Sequence, residues 1–496
     1  MSAGGEQGRP AGGPSARSYA AELRAAAVGR FVDHAGLTGH GRVDLRSDAL
    51  AVAAAALTAV DPEAALRRMV TLEGDDLVVI PPGDDAGRAQ RFPLGGRRVF
   101  VAGAGKASIG MAAMLDGLLG ERIAAGAVVV KRGQAVPLRH IEVLEASHPV
   151  PDETSLAGGL RLLGIAAEAG PDDLLIGLVT GGSSALAVAP AEGLTLADKV
   201  AVNRLLLASG ADIVSVNRVR KHLSRLKGGR LARTAACEVL NLTVSDVVGD
   251  PLDAVTDLTV PDASTFAEAQ AVCDEWELWE HLPRRAAEHL RRADPAAESC
   301  HALERVTTFV VADARMLCDA AAAAAAALGY RAEVLCLDLE GDSAEAGRWF
   351  ARRVRAAAPG AALVAGGEAT TVLAHGQGLS GGGGPSQEGA LAGALELAGG
   401  PAACLLCMDT DGADGPGHAA GGLVDDLSAE VLAAADPQSA LSAHASGTAL
   451  EAAGDRVFTG PTGTNVNDLK VGLVGPPASG PGTPDDLSRP APGNLP

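Results

Sequence analysis

Residues 97–119 read RRVFVAGAGKASIGMAAMLDGLL, and the hydrophobic period changes inside this stretch. Its first part, RRVFVAG over 97–103, is a short apolar run with β-branched residues, the pattern of a buried strand. From Lys106 onward the apolar residues of KASIGMAAMLDGLL recur at helical spacing. Moving outward, the alternation returns. AGAVVVKRG is a second strand and LRLLGIAAEAG a helix, and DDLLIGLVTGG is a third strand that runs into a Gly/Ser turn and a helix. ACEVLNLTVSDVVGD is a further strand ending in a polar loop. Strands alternating with helices predict an α/β fold on a mostly parallel, doubly wound sheet.

The stretch 265–301 breaks the pattern: it is rich in Glu, Arg and Ala and predicts exposed helices. A second α/β set follows, in the order TTFVVAD, an alanine-rich helix, AEVLCLDLE, the helix EAGRWFARRVRAAA, ALVAGGEATTVLA, AACLLCMDTDG and a closing strand LKVGLVG. The division expected is a flexible tail over 1–17, an N-terminal domain over 18–300, a C-terminal domain over 301–475 and a flexible tail over 476–496. The first tail lacks the apolar core of a signal peptide. Two α/β domains facing across a cleft offer the usual place for a ligand.

With 496 residues, 47% of them apolar and 21% charged, the chain is globular and exceeds one hydrophobic core. A net charge of −20 argues against broad binding to nucleic acid or anionic membranes, so an anionic substrate needs a local positive pocket. The seven cysteines (237, 273, 300, 318, 336, 404 and 407) are scattered, as reduced thiols of a cytoplasmic protein are. Cys404 and Cys407 form a CxxC inside AACLLCM, which reads as packing, with no second pair to complete a zinc site. The alanine run near 319–328 follows Asp313, Arg315 and Asp319 and stops at Gly329, so it reads as a closely packed helix rather than a membrane span.

Glycines between a strand and a helix let backbone N–H groups approach an anion at the positive end of the helix. Gly103-Ala-Gly105-Lys106-Ala-Ser108 has that form, with the Lys106 ammonium in reach of a phosphate or carboxylate; a plain tight turn is the other reading. It is not a Walker A loop, because Phe100 and Ala107 stand where Gly and Ser/Thr are needed. A dinucleotide fingerprint is incomplete, with Ser108 at the third glycine and without the acid expected at the end of the second strand, which closes in Lys131-Arg132. Lys131-Arg132 would suit a 2′-phosphate, which keeps an NADP-dependent reductase open. Thr180-Gly181-Gly182-Ser183-Ser184 repeats the glycine-turn physics with three hydroxyls. The segment NRVRKHLSRLKGGR (217–230) gathers Arg218, Arg220, Lys221, Arg225, Lys227 and Arg230, either as a local anion site or as a solvated helix face.

Three loops supply carboxylates: Ser245-Asp246-Val-Val-Gly249-Asp250, Gly366-Gly367-Glu368, and Asp409-Thr410-Asp411-Gly412-Ala-Asp414-Gly415. Phosphoryl transfer needs Mg²⁺ on carboxylates and water, and an acceptor that orients the attacking hydroxyl. Asp246 or Asp250 suits either task. The third loop departs from a calcium loop, since its third acid falls one residue late and no Glu closes it.

The strings VAGAGKASIGMA, SHPVPDETSLAGG, LVTGGSSAL, VRKHLSRLKGGRLA, LTVSDVVGDP, AGGEATTV, MDTDGADGPGHAAG and TGPTGTNVNDL stand in the order seen in glycerate 2-kinases. These are two-domain enzymes whose C-terminal part is the MOFRL domain, and the sequence resembles them from about residue 20 to 474. The resemblance implies a larger Rossmann-like N-terminal domain, a smaller MOFRL-type domain and an active site in the cleft between them. It implies ATP and Mg²⁺ as cofactors and transfer of the γ-phosphoryl group to the 2-hydroxyl of D-glycerate. The partner is then a small hydroxy acid, with no nucleic acid and no membrane, and a homodimer is the assembly to test. Lys106 becomes the active-site lysine, and Asp246 orients the hydroxyl or holds Mg²⁺ with Asp250. Gly103, Gly105, Thr180, Gly181, Gly182, Ser183, Ser184 and Lys227 would cradle substrate or phosphate. Gly366, Gly367, Glu368, Asp411, Thr464 and Asn465 would meet the nucleotide.

Three departures from the family accompany the match. Its Ser-Gly-Gly-Gly-Ser turn reads Thr180-Gly-Gly-Ser183-Ser184, and its Ser-Gly-Pro-Thr reads Thr256-Asp257-Leu258-Thr259. Its Gly-Gly-Arg-Asn-Gln-Glu reads Gly383-Gly384-Pro385-Ser386-Gln387-Glu388, which removes a charge expected on substrate or phosphate. Arg220, Lys221 and Lys227 are the nearest replacements in sequence; His375 and His418 read as ordinary loop histidines. Pro385 favours a non-catalytic ligand-binding homologue, and the loop at 103–108 an NADP-dependent hydroxypyruvate reductase.

Overall fold

The computed structural model describes residues 16–82, 88–245, 252, 257–373 and 382–476. The tails expected over 1–17 and 476–496 therefore lie almost wholly outside the described residues. The chain opens with helices Ala16–Arg30 and Val43–Ala59. A small antiparallel sheet follows, made of β1 (Val70–Glu73), β2 (Asp76–Val79) and β3 (Gln90–Pro93).

Strand β4 (Val99–Ala104) is buried at every position, as a central parallel strand covered on both faces must be. It pairs in parallel with β5 (Ile123–Lys131) on one side, and β6 (Glu142–Ala146) lies beyond β5. On its other side it pairs with β7 (Leu174–Val179), followed by β8 (Glu238–Val244) and β9 (Val306–Ala312), all parallel. The spatial order β6-β5-β4-β7-β8-β9 is that of a dinucleotide-binding-type doubly wound sheet. The expected α/β class is thus the observed one.

The second sheet is mixed. Its strands are β10 (Arg331–Cys336), β11 (Ala361–Gly367), β12 (Ala403–Asp409), β13 (Gly421–Asp425), β14 (Arg456–Val457) and β15 (Asp468–Val474), in the order β10-β11-β15-β12-β13-β14. β10 and β11 run parallel, and β15 is inserted antiparallel between β11 and β12.

Two features depart from the division drawn at residue 300. TTFVVAD was expected to open the second α/β set; β9 instead completes the first sheet beside β8. Periodicity identifies an apolar strand but not the sheet that receives it. At the other end, helix Val43–Ala59 leaves the N-terminal domain and packs on helix Ala314–Ala327, β12 and β15. Both helices are alanine-rich, so two faces of methyl groups can approach closely. Arg46 locks this packing through ion pairs to Asp425 at 2.6 Å and Asp455 at 2.8 Å, all three side chains being buried. Removing one partner of such a buried network costs about 3–5 kcal/mol.

All seven cysteines are free. Cys404 and Cys407 lie three residues apart on β12, so they point to opposite faces and join separate cores. Burial pushes the Cys407 thiol up to about 12, in keeping with packing rather than metal binding. Among the described residues no single helix is long and apolar enough to cross a membrane.

Candidate active site

In an open α/β sheet, ligands bind beyond the carboxyl ends of the strands where the strand order reverses. Here that point lies between β4 and β7. The turns that follow them are stitched together: Lys106 N–H donates to Gly181 O at 2.9 Å, and Thr180 N–H to Ala104 O at 3.1 Å. Ala107 N–H donates to Thr180 Oγ1 at 3.1 Å. Gly105 has φ +140°, and a Cβ there would stand 2.0 Å from Thr180 Oγ1. Gly182, at φ +87°, would carry a Cβ 3.1 Å from Lys106 Cγ and 3.3 Å from the His148 ring. These two glycines permit the close approach of the turns.

Lys106 Nζ donates to Asp411 Oδ2 at 2.9 Å, with the side chains 25% and 20% exposed. Asp411 follows β12, so this bond spans the two sheets and marks the cleft between the domains. Beneath it, Gly367, Asp468 and Asp409 are aligned across β11, β15 and β12. Burial, then the charges of Asp411 and Asp468, pushes the Asp409 carboxyl up to about 8. Burial also raises Asp468, although Lys470 Nζ lies 3.3 Å from its carboxylate. The loops of the second sheet are tied to each other: Thr410 Oγ1 donates to Asn467 O at 2.6 Å, and Thr462 Oγ1 donates to Thr410 O.

Behind the turn after β7 sits a knot of cations. Lys227 Nζ donates to Ser184 O at 2.9 Å and Ser184 Oγ at 2.6 Å. Burial, then Arg220 and Lys199, drives the Lys227 ammonium well below its ordinary range. Burial, then Arg220 and Arg230, brings Lys199 down to about 7. Arg220 Nε is buried with no hydrogen-bond partner. Among the described residues none of Lys199, Arg220 and Lys227 forms an ion pair. The rest of the 217–230 segment separates from them. Lys221 pairs with Asp262 at 2.6 Å, Arg230 donates to backbone carbonyls, and Arg225 is exposed.

Sequence reading overlooked His148. It follows β6 at the carboxyl edge of the same sheet, half-buried and next to Gly182, with no hydrogen-bond partner among the described residues. Burial, then the charges of Lys106 and Lys131, holds it at about 4, so it is a neutral imidazole at pH 7. The available signal was its place just past a predicted parallel strand, in SHPVP.

The chain matches two protein families, the one described as a domain of unknown function (DUF4147) over residues 48–291 and the MOFRL family over 361–468. A protein of Pyrococcus horikoshii named glycerate 2-kinase is 36% identical over 445 residues, covering 87% of this chain and 98% of that protein. This chain belongs to the glycerate 2-kinase family. The crystal structure of glycerate kinase from Thermotoga maritima superposes with a TM-score of 0.73 at 33% identity, over 85% of this chain and 97% of that one. A protein of Agrobacterium vitis provisionally named a hydroxypyruvate reductase is 42% identical over 389 residues, 76% of this chain and 100% of that protein.

The remaining residues expected from this family fall into three groups. Gly105, Lys106, Thr180, Gly181, Gly182, Ser184, Lys227 and Asp411 converge as described, and Ser183 closes the same turn by donating its N–H to Thr180 O at 3.2 Å. Gly103 sits inside β4, where a Cβ would meet Leu178 O at 2.6 Å, so it serves strand packing. Gly366 and Gly367 end β11 against Cys318 and Leu339, and Glu368 is exposed. Thr464 Oγ1 donates to Val60 O at 2.9 Å and anchors its loop, while Asn465 is half-exposed beside it. Asp246, Asp250 and His375 lie outside the described residues.

Pro385 begins helix Pro385–Leu397, where its fixed φ suits the first helical position. Asp414 caps that helix, accepting from Ser386 N–H at 2.8 Å and Gln387 N–H at 2.7 Å, and burial raises its carboxyl to about 6. Asp414 is therefore engaged with backbone and not free to hold an ion. The described residues contain no group of three or more metal-ligating side chains. A Mg²⁺ ion commonly keeps several waters and takes only one or two carboxylates beside phosphate oxygens. The buried and unpartnered Asn467 Nδ2, whose backbone carbonyl accepts from Thr410, and the negative charge of Asp411 and Asp468 around Asp409 fit a site for a Mg²⁺-bearing phosphate group.

Proposed function

We propose that this chain is a glycerate 2-kinase, transferring the γ-phosphoryl group of ATP to the 2-hydroxyl of D-glycerate to give 2-phosphoglycerate and ADP. The observation that carries this reading is the meeting of Lys106, the Thr180–Ser184 turn and Asp411 between the two sheets. The Lys106 ammonium offsets charge on the transferring phosphoryl group or the glycerate carboxylate. The turn cradles an oxyanion, and the buried Arg220 guanidinium behind it adds positive potential in a chain of net charge −20. The neutral His148 ring accepts a hydrogen bond from a substrate hydroxyl other than the one that Asp246 orients or deprotonates. Asp246 and Asp250 would hold a Mg²⁺ ion, which would supply the charge neutralisation that phosphoryl transfer needs. Positioning and electrostatics supply the rate acceleration. The chain acts in the cytoplasm on a small hydroxy acid.

The test is ADP release with ATP, Mg²⁺ and D-glycerate, with the phosphate position of the product read by phosphorus NMR. Formation of 2-phosphoglycerate supports the kinase. NADPH oxidation by hydroxypyruvate without ADP release would overturn it in favour of the reductase suggested by the Agrobacterium relative's name.

A further inference from the structure

A cavity of about 710 Å³ opens on the N-terminal domain, and none of the residues around Lys106 lines it. Its walls are helices Glu153–Glu168 and Arg230–Thr234 and the ends of helices Ile213–His222 and Arg284–Arg292. Four guanidinium groups line it, from Arg225, Arg230, Arg233 and Arg292, together with His222 and His289. The acids on its surface are Glu192 and Asp294, and Asp294 already caps the turn at Ala296 with a 2.9 Å bond. Glu298 holds His222 at 3.0 Å. Arg225, Arg233 and Arg292 are exposed and form no ion pair among the described residues. Two helices end here, and their carbonyl ends account for some positive charge but not for four guanidinium groups.

The cavity is also joined to the active-site turn. Arg230 Nη1 donates to Lys221 O and Lys227 O, each at 3.0 Å. Ser224 Oγ, on the cavity wall, accepts from Lys227 N–H at 3.2 Å. The Lys227 side chain in turn holds Ser184. One residue thus has its backbone fixed by the cavity wall and its ammonium fixed on the turn after β7.

We propose that this cavity binds a small metabolite carrying two or more phosphate or carboxylate groups, and that occupancy adjusts the Thr180–Ser184 turn through Lys227. Guanidinium groups without a carboxylate partner are the usual binders of such oxyanions. Four of them line one cavity of an acidic protein, with Arg230 and Arg233 donating to backbone carbonyls and none in an ion pair among the described residues.

The experiment titrates the full chain with inorganic pyrophosphate in Mg²⁺-free buffer and locates binding by hydrogen–deuterium exchange. Expected are saturable binding that weakens with added salt, and protection of segments 222–236 and 286–297. The triple variant Arg225→Gln, Arg233→Gln, Arg292→Gln should bind roughly tenfold more weakly or worse, while the matching lysine triple keeps most of the affinity. With free Mg²⁺ held constant, pyrophosphate should change turnover of the native chain and not of the glutamine triple. Absence of saturable binding, undiminished binding by the glutamine triple, or protection confined to the loops around Lys106 would overturn the site. Binding at these arginines with unaltered turnover would overturn the coupling.

Discussion

Lys106→Met removes the ammonium but keeps most of the stem against which Gly182 is packed. The ion pair with Asp411 is short at 2.9 Å, yet both side chains remain a fifth to a quarter exposed. A pair so open to water contributes about 1 kcal/mol or less, and the freed Asp411 carboxylate can be solvated. The melting temperature should therefore fall by no more than roughly 2–4 °C. Catalysis should respond far more. A positioned donor facing charge that grows in the transition state is worth about 10²–10³ in turnover, or ~2.7–4 kcal/mol. The assay is steady-state ADP release beside a thermal melt of the same sample, with kcat and KM resolved for glycerate and for ATP. A fall in kcat below tenfold with an unchanged melt would refute the placement of Lys106 at the reacting charge. A melt lowered by more than roughly 10 °C would show that the lysine supports the fold instead.

Gly182→Ala forces a side chain onto φ +87° and puts its Cβ 3.1 Å from Lys106 Cγ. It should cost about 1–2 kcal/mol of stability and lower kcat, as read by a denaturant melt and the same assay. Lys199 is depressed to about 7 from 10.5, so between these values the unfolded chain binds a proton that the folded chain does not. Stability conferred at this position hence rises with pH across that window, and Lys199→Met should raise the melting temperature at pH 7 with a gain that closes toward pH 10. A gain that widens with rising pH would contradict the sign. His148 is held at about 4, so the pH–rate profile should show no inflection near 6.5 that disappears in His148→Gln. His148→Ala should lower kcat/KM more than His148→Gln, which keeps an acceptor.

The parts of the site that could be read in advance were those whose chemistry is local. The glycines at 105 and 182 sit at strand–helix junctions, so the turns after β4 and β7 were legible from sequence alone. The partner of Lys106 was not, because the 305 residues separating it from Asp411 carry no periodicity that says which loops face one another. The split of the 217–230 segment was equally hidden. Its cations look alike in sequence, yet Lys227 and Arg220 turn inward, Arg230 binds backbone carbonyls and Arg225 faces solvent. The strand at 306–312 was identified correctly as a strand and assigned to the wrong sheet, since a run of β-branched residues fits either. Pro385 was read as a lost charge; in the structure it is also a helix start that Asp414 caps from a separate loop.

The helix over residues 43–59 has a consequence for how the protein is made. It covers a sheet whose last strand, β15, ends at residue 474. During synthesis this helix leaves the ribosome more than 400 residues before that strand. Its alanine face must wait, or be shielded, while the whole first sheet is completed. A chain cut near residue 300 would yield a C-terminal fragment with bare methyl-lined sheet and Asp425 and Asp455 stripped of Arg46. The second half of this enzyme is therefore contiguous in space but not in sequence, and it can close only after the last strand has been synthesised.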